Sequence, residues 1–104
     1  MIDLPDGWLP VDREEAAGLE MELAAELAAQ HPLSGVEVEC FARRRDRDDA
    51  VFRLRGHRCE FAIVHLTWAK ELSPAFPATV FCISRADLVE SLRDGQDPDR
   101  HADL

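Results

Sequence analysis

One histidine stands at the centre of the residues that could do chemistry. His65 lies inside Cys59-Glu60-Phe61-Ala62-Ile63-Val64-His65-Leu66-Thr67-Trp68, a ten-residue run that is apolar at most positions. An imidazole held through one ring nitrogen by a carboxylate can act through the other as a general base or a proton switch. A hairpin register set by Gly56-His57 puts His65 across from Asp48, with Thr67 and Trp68 following it at the strand end. Asp48, His65, Thr67 and Trp68 are therefore the candidate pocket or interaction residues. A buried histidine tied to one loop carboxylate or carbonyl would leave the same signature. No nucleophile stands at a defined spacing beside it, so no catalytic residue is assigned.

Other constellations fail on geometry. His57, Cys59 and His65 are close in sequence, but Cys59 and His65 on one strand would be roughly 20 Å apart at ~3.3 Å per residue. Zinc ligands must converge within about 2.3 Å of one ion, so no metal or other cofactor is expected. A Cys82–His65 pair would need a register shift, and a thiol in an apolar core is inert. Seven arginines (43, 44, 45, 47, 53, 55 and 58) cluster in the middle of the chain beside Phe41, but Asp46, Asp48 and Asp49 interrupt them. A solvated, salt-bridged sheet edge is expected there. The five glycines form no phosphate-binding pattern.

The elements that position these residues follow from local signals. Pro5, Gly7 and Pro10 keep residues 1–11 extended. Asp12 and Glu15 form a capping box, with Val11 and Ala16 as a hydrophobic staple. The helix behind it runs to about Ala29, with Ala16, Leu19, Leu23 and Leu27 on its inner stripe and Glu14, Glu22 and Glu26 facing water. His31-Pro32 stops it. A first strand covers 36–43, with Val36, Val38, Cys40 and Ala42 on one face. A second covers 50–55, the run from Cys59 to Trp68 is the third, and 78–84 is the fourth. Ser84-Arg85-Ala86-Asp87 caps a short helix carrying Leu88, Val89 and Leu92, which ends near Asp94-Gly95. The fold class is α+β: one domain over 1–95, ordered α-β-β-β-β-α, with a four-stranded antiparallel meander and a frayed acidic tail over 96–104.

Register follows from the loops. A two-residue Gly56-His57 turn pairs Leu54 with Cys59, Phe52 with Phe61 and Ala50 with Ile63. Keeping Cys40 and Ala42 on the face of Phe52 and Leu54 demands an odd loop, of three or five residues, around Arg47-Asp48-Asp49. With both helices on one face, the row Ala62, Val64, Leu66 and Trp68 would lie bare. The N-terminal segment and the Pro74–Pro77 loop cover part of it, and a homodimer is expected to complete the cover.

The chain has 104 residues and a formal charge of −9. Residues 1–39 carry −9, residues 40–70 carry +4 and residues 71–104 carry −4. This balance disfavours nucleic acid and anionic membranes as partners. No run is long and apolar enough for a membrane span. The N-terminus has neither a basic nor an apolar leader region, and three cysteines make no even disulfide framework. A cytoplasmic location with reduced cysteines is expected.

The segments His31-Pro32-Leu33-x-Gly35, Ala42-Arg43-Arg44, Asp48-Asp49-Ala50-Val51-Phe52 and Phe61-Ala62-Ile63-Val64-His65-Leu66-Thr67-Trp68 resemble a family of small uncharacterised bacterial proteins, over about residues 31–83. The His-Leu-Thr-Trp strand is the most specific part. The resemblance implies a cytosolic bacterial protein of this size and no particular activity.

Two functional classes follow. The leading one is a non-catalytic cytosolic protein-interaction domain, one form of which is an acidic inhibitor or immunity-type protein that blocks a basic effector. The alternative is a small enzyme or ligand-binding domain with a pocket near His65 and Trp68. The absence of a catalytic constellation points away from an enzyme.

Overall fold

The computed structural model describes residues 4–45, 48–71, 73 and 75–93. The elements are β1 (Trp8–Pro10), α1 (Arg13–Glu26), β2 (Glu37–Arg44), β3 (Asp49–Arg55), β4 (Phe61–His65), β5 (Thr79–Cys82) and α2 (Arg85–Arg93). The strands form one antiparallel sheet in the order β1-β2-β3-β4-β5. The α+β class stands, but the sheet has five strands where four were expected. Prolines and a glycine hid β1 in the sequence. On an edge strand Pro10 forfeits no ladder bond that matters, and Trp8, Leu9 and Pro10 pair with Arg44, Arg43 and Ala42.

The cap signals act as read. Asp12 Oδ1 accepts from the Glu15 N–H at 2.8 Å, and Ser84 Oγ accepts from the Asp87 N–H at 3.2 Å. Helix α1 presents Ala16, Leu19 and Leu23 to the sheet, and Leu27 just beyond its end packs against the same core. It ends at Glu26, three residues earlier than expected, and Leu27 turns extended.

Two registers differ from expectation. In β2 a bulge at Phe41 separates the pair Cys40–Phe52 from the pair Ala42–Val51. Val38 and Cys40 consequently face α1 while Ala42 faces the other way, so the expected single row is broken. The connection between β2 and β3 is residues 45–48, an even number where parity demanded an odd one. The extra residue of the bulge reconciles the two. At the bulge the Cys40 N–H donates to Glu20 Oε2 of α1 at 2.8 Å.

The turn between β3 and β4 spans residues 56–60 rather than two residues. Gly56 has φ +68°, and His57 Nδ1 accepts from the Cys59 N–H at 3.0 Å. Pairing is therefore Phe52–Ala62, Val51–Ile63, Ala50–Val64 and Asp49–His65, one residue from the expected register. That single step reverses the faces of β4. Ala62 and Val64 join Phe52 under α1, while Phe61 and Ile63 turn to the opposite side. The strand itself has five residues rather than ten.

The helices lie on opposite faces of the sheet, not on one. Leu23 of α1 packs with Leu33, Cys40, Phe52, Val64 and Leu66 on one face. Leu88 and Leu92 of α2, with Trp8 of the N-terminal segment, pack with Val51, Phe61, Ile63 and Cys82 on the other face. Both apolar rows of β4, Phe61 and Ile63 on one side and Ala62 and Val64 on the other, are thus covered within one chain, while Trp68 and Ile83 stay exposed. The tail over 96–104 lies outside the described residues.

Candidate functional site

The corrected register builds a row of polar side chains across one face of the sheet. Pairing of Trp8 with Arg44, of Arg43 with Ala50, and of Asp49 with His65 sets Trp8, Arg44, Asp49 and His65 side by side on four strands. The Arg44 guanidinium carbon stands 5.6 Å from the Trp8 ring centroid. Its Nη1 is 3.9 Å from Asp49 Oδ2, and His65 Nδ1 is 2.7 Å from Asp49 Oδ1. A carboxylate only accepts, so Nδ1 carries the proton and Nε2 is left as the imidazole's free nitrogen. The Asp49 side chain is fully buried, whereas that of His65 is 25% exposed. An imidazole oriented in this way can accept a proton at Nε2.

The partner of His65 is therefore Asp49, not Asp48. Asp48 is exposed, and its carbonyl accepts from the Leu66 N–H at 2.9 Å. Thr67 and Trp68 belong to a different arrangement. In the last turn of α1, Glu26 is fully buried instead of facing water. Its Oε1 accepts from the Thr67 N–H at 2.8 Å and lies 3.0 Å from Thr67 Oγ1. Its Oε2 accepts from the Trp68 N–H at 2.8 Å. Burying a carboxylate is costly unless several donors meet it, and here the chain leaving β4 supplies them. Helical spacing set Glu26 among the water-facing acids of α1, and nothing local marked its distant partners. Glu22, one turn earlier, is pushed up to about 7 by a hydrogen bond with Glu26, by partial burial and by the Glu26 charge.

The clamp holds Trp68 in an unusual state. Its φ is +59°, the left-handed region that bulky residues avoid, and the residue is 55% exposed. Backbone of this kind costs on the order of 1–3 kcal/mol and persists only where surroundings over-determine it. Beside it opens a cleft of about 140 Å³, lined by Glu15, Leu19, Arg43, Asp48, Asp49, Ala50, Leu66 and Trp68. Of the sequence-derived candidates, Asp48 and Trp68 share this cleft, Thr67 supports it through Glu26, and the His65 imidazole belongs to the other row.

His31, Cys40 and Cys82 lie in the core. His31 Nδ1 accepts from the Leu33 N–H at 3.0 Å and its Nε2–H donates to the Pro77 carbonyl at 2.9 Å, inside the core. Burial pushes the Cys40 thiol up to about 12 and also raises that of Cys82, which pairs with Phe61 and contacts Ser91. Among the described residues no three His, Cys, Asp or Glu side chains converge as a metal site, and no helix is long and apolar enough to cross a membrane. Comparison with protein-family models, with curated proteins and with solved structures finds no match.

Proposed function

We propose that this chain is a non-catalytic protein-interaction domain of the cytosol, with an acidic surface suited to a basic partner. The observation that carries the reading is the ordered display of Trp68. A residue 55% exposed is held in left-handed backbone by a buried carboxylate. Folding alone gains little from an aromatic ring left in water, whereas Trp is the residue most enriched among the anchors of protein interfaces. The net charge of −9 adds steering toward a cationic surface. An inhibitor or immunity-type role is one form of this reading. The three free cysteines fit a reducing compartment. Quantitative pull-downs from the native host with wild type and Trp68→Ala test it. A specific protein recovered by the wild type and lost with the variant is expected; equal recovery, or no specific partner, refutes it.

A second reading rests on one observation, the His65–Asp49 pair with the imidazole reaching solvent. It makes His65 a general base for a small ligand at the opposite face. A ligand whose binding or turnover is lost in His65→Gln while folding is retained would favour it.

A further inference from the structure

We propose that the cleft beside Trp68 receives one cationic side chain, in the first place an arginine guanidinium, presented by a basic polypeptide partner. This deepens the interaction reading and rests on it for the partner being a polypeptide. Size comes first. Pockets for free small molecules run to roughly 300–1,000 Å³, and about 140 Å³ is too small for such a ligand yet sufficient for the end of one long side chain. The chemistry of the walls decides the rest. Leu19, Ala50 and Leu66 make an apolar floor for an alkyl stem, and Leu66 and Ala50 are each 1% exposed. Trp68 offers an indole wall on which a planar guanidinium can stack.

Charge selects a cation. Among the described residues lining the cleft, Glu15 and Asp48 bring carboxylates against the base Arg43, while Asp49 lines it with its side chain turned to the opposite face. Arg43 Nε is held by Glu15 Oε2 at 2.6 Å, and Asp49 is engaged by His65. Asp48 differs from both. It is exposed, and its carboxylate makes no hydrogen bond or ion pair among the described residues. An unengaged carboxylate and an exposed indole around an apolar floor are the complement of a guanidinium on a three-carbon stem. Lysine has the same charge but lacks the flat face, so it should bind less well. The clamp from Glu26 to the Thr67 and Trp68 amides fixes the backbone that carries the aromatic wall before any partner arrives, lowering part of the ordering cost of binding.

The test is a titration of the isotopically labelled full chain, followed by amide and indole resonances, with the tripeptide acetyl-Gly-Arg-Gly-amide. The same peptide with citrulline, nearly isosteric and uncharged, is the control. Saturable shifts are expected at Asp48, Leu66 and the Trp68 indole, with the buried Trp8 indole unmoved. The citrulline peptide should bind at least about tenfold more weakly. Asp48→Asn and Trp68→Ala should each lower the affinity at least about threefold, the latter read at Ala50 and Leu66. Equal binding of the citrulline peptide overturns the proposal. So do unsaturable shifts spread over the acidic surface of α1, or an Asp48→Asn variant that binds like wild type. The two readings fail separately. If the host partner is lost with Trp68→Ala but the arginine peptide does not bind, the cleft proposal falls and the interaction domain stands. If the arginine peptide binds as expected but no partner depends on Trp68, the reverse holds.

Discussion

Replacing Glu26 by alanine removes the acceptor for two backbone N–H groups and the Thr67 hydroxyl in one step. The hydroxyl lies 3.2 Å from the Ala69 carbonyl and can turn to it. Among the described residues the two amides, of Thr67 and Trp68, have no such substitute. Each donor left unsatisfied costs about 1–3 kcal/mol, and bonds to a charged acceptor sit at the upper end. The relief of desolvating a carboxylate works in the other direction. A net loss of about 2–4 kcal/mol is therefore expected at neutral pH, large against the 5–15 kcal/mol of a typical domain. Glu26→Gln keeps the shape and one acceptor but turns an amide donor toward the Trp68 N–H, and about 1.5–3 kcal/mol should be lost. Urea unfolding measures both, and amide exchange localises the effect, with Thr67 and Trp68 losing protection ahead of the β3–β4 ladder. A Glu26→Ala protein within 0.5 kcal/mol of wild type, with those two amides still protected, would refute the clamp and with it the argument that Trp68 is held for display.

Three further outcomes follow from the same structure. Glu22 titrates near 7 in the folded protein against an ordinary 4.5, so the folded state holds the extra proton between these values; its contribution to stability is complete below about pH 4.5 and is lost as pH rises through 7, and Glu22→Gln should flatten that part of the pH–stability curve relative to wild type. Under iodoacetamide at pH 8, half-buried Cys59 should be modified well before Cys40 and Cys82, whose buried thiols are raised in pKa, and peptide mapping that finds Cys40 labelled first would contradict the burial described. Gly18 lies within α1 where an added Cβ would meet nothing within 4 Å, so Gly18→Ala should stabilise the fold by about 1 kcal/mol in urea titrations, and a destabilised variant would place a neighbour where none is described.

Signals confined to a few residues carried through to the structure. Asp12 and Ser84 cap their helices, the leucine stripe of α1 meets the sheet, and the Phe52–Leu54 alternation of β3 points into the core. Each depends on backbone geometry repeating every 3.6 or 2 residues, which the chain writes locally. Everything that joins distant residues was decided by the tertiary structure. The bulge at Phe41 and the turn over 56–60 each moved a strand by one position. One position exchanged Asp48 for Asp49 beside His65 and put Phe61 and Ile63 on the side of α2. Loop length in sequence does not reveal whether a turn closes on two residues or five, nor whether a strand absorbs an extra one; the packing of two opposed cores selects among those registers. The same holds for Glu26, whose place in α1 was legible but whose partners, 41 and 42 residues along the chain, were not. A carboxylate on a helix is solvated or buried according to which donors arrive beside it, and only the folded chain brings them there.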